Sequence, residues 1–150
     1  MTEIKDLISY QVHMVANLLS RGAELRYRRE FGVSLWEWRT IALLGATDEP
    51  QSLGHLARAA GIDKSQMSRV VSGLTRRKLI MRGANDEDGR GVHLRLSKSG
   101  RSLYTGLIGA AAERDAKFRN CLSANEKTVF ERALAKLADQ ARDLIRQEKK

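Results

Sequence analysis

The sequence predicts a mainly α-helical fold that carries one small β-hairpin. Apolar residues recur at three- and four-residue intervals along most of the chain. Aromatic residues make up 5% of the 150 positions and there is one proline, a composition that argues against a many-stranded β fold. The one clear alternation of apolar and polar residues is VHLRL at 92–96. With 42% hydrophobic and 30% charged residues, a single domain over 1–150 is expected.

The elements follow in order. Ile4, Leu7, Ile8, Gln11, Val12, Val15, Leu18 and Leu19 have helical spacing, and the helix runs on through Arg26, Arg28 and Arg29 to a stop at Gly32. A helix this long predicts packing against something beyond its own core. Ser34 caps a second helix in which Leu35, Trp38, Ile41, Ala42 and Gly45 share a face. TDEPQ, with Pro50, breaks the chain before a short third helix with Leu53, Leu56, Ala57 and Ala60 inward. Gly61 permits a sharp turn. Asp63 and Gln66 have capping-box spacing at the start of a fourth helix. Its inner face is Met67, Val70, Val71 and Leu74; its outer face carries Ser65, Ser68, Arg69, Ser72 and Arg76.

Two apolar patches, LIM at 79–81 and VHLRL at 92–96, predict a hairpin joined by the polar loop RGANDEDGRG. Ser97 caps a fifth helix with Leu103, Leu107, Ala110, Ala111 and Phe118. Ser123 and Glu126 box the start of a sixth, whose stripe is Phe130, Ala133, Leu134, Leu137, Ala141, Leu144 and Ile145.

Charge narrows the function. The 27 Lys and Arg against 18 Asp and Glu give +9 at neutral pH, which expects a polyanion, either nucleic acid or an anionic membrane surface. The single cysteine excludes an internal disulfide framework and a Cys-rich zinc site, and fits a reducing cytoplasm. No apolar run reaches a membrane span, and the first residues lack a signal peptide's order. Neither catalytic residues nor a metal or cofactor is expected. A phosphate-cradling glycine loop, a nucleophile elbow and paired His/carboxylate spacing are all missing, and His13, His55 and His93 are scattered.

A short helix, a glycine turn and a second helix with a polar outer face make a helix-turn-helix pattern. Ser65, Gln66 and Arg69 offer donors suited to base edges: Gln pairs with adenine and Arg with guanine. The same helix also reads as an ordinary amphipathic surface helix, since periodicity does not separate the two. The hairpin directly behind it makes the pattern that of a winged helix. Arg90, between Gly89 and Gly91, is suited to a narrow, electronegative minor groove. Asp88 is expected to pair with a nearby Arg and order the wing, while Asp86 and Glu87 read as solvated turn residues.

The stretch from Ser34 to Gly100 resembles the MarR family of winged-helix regulators. SLGHLARAAGIDKSQMSRVVSGLTRRKLI and NDEDGRGVHLRLSKSG carry the likeness. The family's wing reads Asp-x-Arg-Asp-x-Arg, followed by Leu-Thr-x-x-Gly. Asp88, Arg90, Leu96 and Gly100 match, Ser97 replaces Thr, and Asn85 and Glu87 depart from the pattern; with the first Arg goes one ordering or backbone contact.

The resemblance implies a winged helix-turn-helix lobe at 34–100, flanked by dimerisation helices at 1–31 and 101–147. It implies a homodimeric regulator, a repressor or an activator, on double-stranded DNA with half-sites about 34–36 Å apart. Some of Leu7, Val12, Leu134 and Leu137 are expected in the chain's own core. Ser65, Gln66 and Arg69 are assigned to base edges, Lys64, Ser68, Ser72 and Arg76 to phosphates, and Arg90 to the minor groove. Arg77, Lys78 and Arg82 add to the positive field.

Relatives of this kind commonly bind small phenolic or carboxylate effectors. Tyr10, His13, Trp36, Trp38 and Arg39 are the candidate pocket, with Arg39 meeting a carboxylate; the tryptophans also read as core or interface packing. Cys121 reads as a small buried hydrophobe, with redox sensing as the alternative. A non-specific nucleic-acid-binding or architectural protein is the other competing reading.

Overall fold

The computed structural model describes residues 1–84 and 91–149. The chain divides into two units, Met1–Gly109 and Ala110–Lys150, with the boundary inside the fifth helix.

In the first unit the N-terminal segment forms a short 3-10 turn, Ile4–Asp6, before helix α1, Ile8–Phe31. The expected single helix from Ile4 is therefore interrupted. The Asp6 carboxylate accepts from Glu3 N at 3.1 Å, and Leu7 is extended and offers no side-chain oxygen to start a longer helix. Gly32 ends α1 at φ +66°, as its sequence position predicts. Ser34 starts α2, Leu35–Gly45, with a complete capping box: its hydroxyl accepts from Glu37 N at 3.1 Å, and Glu37 accepts from Ser34 N at 2.7 Å.

Helix α3 spans Leu53–Ala60 and α4 spans Lys64–Arg76. Strand β1 is Gln51–Ser52, β2 is Ile80–Ala84 and β3 is Val92–Leu96. They form an antiparallel sheet in the order β1-β3-β2, with Gln51 opposite Leu94 and Ile80 opposite Leu96. The expected hairpin thus gains a third strand. Two residues are too few to show alternation in sequence, but they pair with an edge of β3 that would otherwise be bare. Strand β2 also continues through Arg82 to Ala84, so less of the 82–91 segment is loop than the polar composition suggested.

The core gathers Ile41 and Leu44 of α2, Leu56 of α3, Met67, Val71 and Leu74 of α4, and Leu94 of β3, all at most 2% exposed. Burial of each such side chain contributes about 1.5–3 kcal/mol. Thr40 is buried with them, its hydroxyl donating to Trp36 O at 2.8 Å.

Helix α5, Lys98–Asn120, starts on the sheet through a knot of short contacts. The Ser97 hydroxyl donates to Lys78 O at 2.6 Å and accepts from Gly100 N at 3.0 Å, while Ser97 N donates to Leu79 O at 3.0 Å. Gly100 lies so close to Leu79 that a Cβ would fall 2.0 Å from the Leu79 carbonyl oxygen. This gives the Leu-Ser-x-x-Gly sequence at 96–100 its physical meaning: buried Leu96, capping Ser97, and a glycine that backbone must touch.

The second unit is the end of α5, a turn, and α6, Ala124–Glu148. Ser123 and Glu126 form the predicted box. Arg119 bridges Asp115 at 2.6 Å and Glu131 at 3.1 Å across the turn. Helix α6 has no buried residue, and Leu7, Val12, Leu134 and Leu137 are 39–45% exposed. The expectation that some of these four lie in the chain's own core is corrected, since each is more than a third exposed. Among the described residues no helix is long and apolar enough to cross a membrane.

Candidate nucleic-acid interface

The turn between α3 and α4 is set locally. Gly61 takes φ +71°, a conformation that a Cβ would strain. Ile62 N donates to Ala57 O at 3.0 Å, and the Asp63 carboxylate accepts from Gln66 N at 2.8 Å. Only this forward half of the expected box is formed; the Gln66 side chain makes no hydrogen bond among the described residues. Met67, Val71 and Leu74 anchor α4 into the core, which fixes its opposite face outward.

On that face Lys64, Ser65, Arg69 and Arg76 are exposed, while Gln66, Ser68 and Ser72 are half-buried. Residues 51–82 hold seven Lys and Arg and one carboxylate, Asp63, which is engaged as the cap. Among the described residues no ion pair involves α3 or α4. The ion pairs sit elsewhere, as in Arg26–Glu30 on α1 and Arg142–Asp139 on α6. Among the described residues the donors of α4 are therefore not neutralised by acids, an arrangement suited to an external polyanion.

Three residues read in sequence as plain positive charge have distinct positions. Arg82 Nη2 donates to Ser72 Oγ at 3.3 Å, tying β2 to the outer face of α4. Arg77 pairs with Glu37 at 3.3 Å, joining the end of α4 to the start of α2. Lys78 takes φ +60° at the turn into β2. Periodicity holds no sign of the first two contacts, since each joins separate elements. Asp88 and Arg90 lie outside the described residues.

The proposed effector residues separate into two groups. Trp38 and Arg39 line a cavity of about 290 Å³ with Ala42 and Leu43 of α2 and Ala59 and Ala60 of α3. The Arg39 guanidinium lies 4.8 Å from the Trp36 ring centroid and donates to Ser20 Oγ at 3.4 Å. Trp38 packs on Tyr27 at 5.2 Å between ring centroids. Tyr10 and His13 do not line that cavity. Both precede Ser20 on α1 by two to three helical turns, about 10–15 Å of rise. His13 instead meets Asn17 at 2.9 Å. Cys121 is also corrected: it is exposed rather than buried, with its thiol donating to Phe118 O at 3.0 Å, because the α5–α6 turn leaves it uncovered.

Residues 31–91 match the model of the MarR family. No curated protein matches the chain. Among solved structures it is similar to a MarR/EmrR family transcriptional regulator from Acinetobacter sp. ADP1, at 27% identity and a TM-score of 0.87, covering 95% of this chain and 99% of that one. It shares its fold with Staphylococcus aureus MepR in a DNA complex, at 21% identity and a TM-score of 0.83, covering 89% and 98%. Streptococcus pneumoniae FabT in complex with DNA gives 22% identity and a TM-score of 0.77, covering 91% and 96%. The winged helix-turn-helix segment at 31–91 is thus similar to the MarR family, and the chain resembles the fold of such regulators almost end to end.

Proposed function

We propose that the protein is a homodimeric, sequence-specific DNA-binding regulator in the cytoplasm, a repressor of a pseudo-palindromic operator that a small anionic or aromatic effector releases. The observation that carries the reading is the outer face of α4, with donors held outward by a buried opposite face and, among the described residues, no carboxylate paired to them. Ser65, Gln66 and Arg69 read base edges; Lys64, Ser68, Ser72 and Arg76 meet phosphates. Arg90 enters the minor groove and Asp88 orders the wing. The DNA complexes of MepR and FabT, on the same fold, support this assignment. The uncovered stripes of α1 and α6 support dimerisation, with the flanking helices 1–31 and 101–147 as the interface around the lobe 34–100.

The cavity beside Trp38 and Arg39 supports the effector. It lies between α2 and α3, so a ligand there acts on the first helix of the DNA-binding motif. Release follows if the effector favours a spacing of the two recognition helices that mismatches the operator, to the extent of its differential affinity for the two states. A second reading, redox sensing through Cys121, is favoured by that residue's exposure; peroxide-sensitive DNA binding that Cys121→Ser abolishes would support it.

The test is selection of sites from random duplex DNA near physiological salt, repeated with Gln66→Ala and Arg90→Ala. An inverted repeat with half-sites about one helical turn apart, weakened by both substitutions, is expected. Uniform, salt-sensitive binding without an enriched motif would overturn the reading in favour of a non-specific nucleic-acid-binding protein.

A further inference from the structure

We propose that Arg58 and Lys64 form a clamp for one phosphate of the nucleic-acid backbone, built over Gly54 on α3. The inference rests on the DNA-binding reading above and adds a contact outside the face of α4. A Cβ on Gly54 would lie 3.2 Å from Lys64 Cε, 3.4 Å from Arg58 Nη1 and 3.8 Å from Lys64 Nζ. The Lys64 side chain, leaving the first turn of α4, thus lies back across the first turn of α3. There it comes near the guanidinium of Arg58, one helical turn along. The two cationic groups are no farther apart than the last two distances together.

Both residues are exposed, and among the described residues neither has a carboxylate partner or a side-chain hydrogen bond. The carboxylate adjacent in sequence, Asp63, is turned to Gln66 N. Two cations side by side repel one another unless an anion sits between them. A phosphodiester has two non-bridging oxygens, one for each donor, at the roughly 2.8 Å of a charge-assisted bond. The position suits a backbone phosphate rather than a free anion. In a helix-turn-helix whose second helix enters the major groove, the first helix crosses the strand at the groove's edge. Gly54 is a poor helix former, and a methyl at this site would press on both side chains, which must then shift by a few tenths of an ångström.

The test is titration by fluorescence anisotropy of the full chain and three variants. Each is measured on the duplex selected above and on a mixed-sequence duplex of equal length, at several salt concentrations. Arg58→Gln is expected to weaken both duplexes about tenfold and to reduce the log–log salt slope by about 0.9. Gly54→Ala is expected to weaken both several-fold while its melting temperature holds or rises. Gln66→Ala is expected to weaken only the selected duplex. A set of duplexes with one neutral methylphosphonate each is expected to contain a position that weakens the parent chain but not Arg58→Gln. If Arg58→Gln keeps the parent affinity and slope while the parent still discriminates, the clamp is wrong and the DNA-binding reading stands. If the parent does not discriminate but Arg58→Gln still lowers the slope, the clamp stands and sequence-specific regulation falls. Failure of the parent to bind either duplex overturns both.

Discussion

Replacing Gly100 with alanine tests the junction between the sheet and α5. The added Cβ would lie 2.0 Å from Leu79 O, 3.0 Å from Leu79 C and 3.3 Å from Leu96 Cδ2. Two of these three atoms are backbone, so no change of rotamer relieves the clash. The start of α5 must move off the Lys78–Leu79 turn by more than an ångström. That movement breaks or lengthens the bonds from Ser97 N to Leu79 O and from Ser97 Oγ to Lys78 O. Each is worth about 0.5–1.5 kcal/mol net, and overpacking adds about 1–3 kcal/mol. The expected loss is about 2–6 kcal/mol, a large share of the roughly 5–15 kcal/mol that holds a typical protein folded. Urea unfolding followed by circular dichroism, at one fixed protein concentration, measures it. Gly109→Ala is the matched control. It lies in the same helix, a Cβ there meets nothing within 4 Å, and it should stabilise by up to about 1 kcal/mol. Equal stability of Gly100→Ala and the parent would refute the argument that backbone contact requires this glycine.

Other consequences follow from the same geometry. The Glu126 carboxyl is held below its ordinary value of 4.5, first by the Ser123 backbone N–H and then by the Ser123 hydroxyl. A lowered folded-state pKa adds stability above the unfolded value, and that stability is lost as pH falls from about 4.5 through the folded value. Glu126→Gln should therefore lower stability at neutral pH and flatten the acid limb of a thermal-stability profile, the variant and the parent converging at low pH. Leu18→Glu, at a side chain 68% exposed in the single chain, should leave the fold intact yet shift the sedimenting mass from dimer to monomer. A dimer that survives would show that α1's stripe is not its interface. Arg69→Ala should cost about 1–3 kcal/mol on the selected duplex and relax preference at one base pair per half-site, measured by competition among single-base variants. Uniform weakening across those variants would make Arg69 a phosphate contact instead.

Much of the α4 face was legible from the chain, because Met67, Val71 and Leu74 at helical spacing dictate which residues point away. The caps were legible too. Ser34, Asp63, Ser97 and Ser123 act on backbone groups three residues ahead, and such short-range chemistry is written in adjacent letters.

Sequence by itself determined the type of each helix, the turn at Gly61, the alternating strand and the excess of positive charge, all of which depend on neighbours within about one helical turn. Tertiary structure alone decided that β1 joins β3, that Arg82 reaches Ser72 and Arg77 reaches Glu37, and that Gly100 touches Leu79. It also left Cys121 and the α1 and α6 stripes uncovered. These contacts join residues on separate elements. No periodicity encodes them, because they exist only once the core has closed and set where each backbone runs.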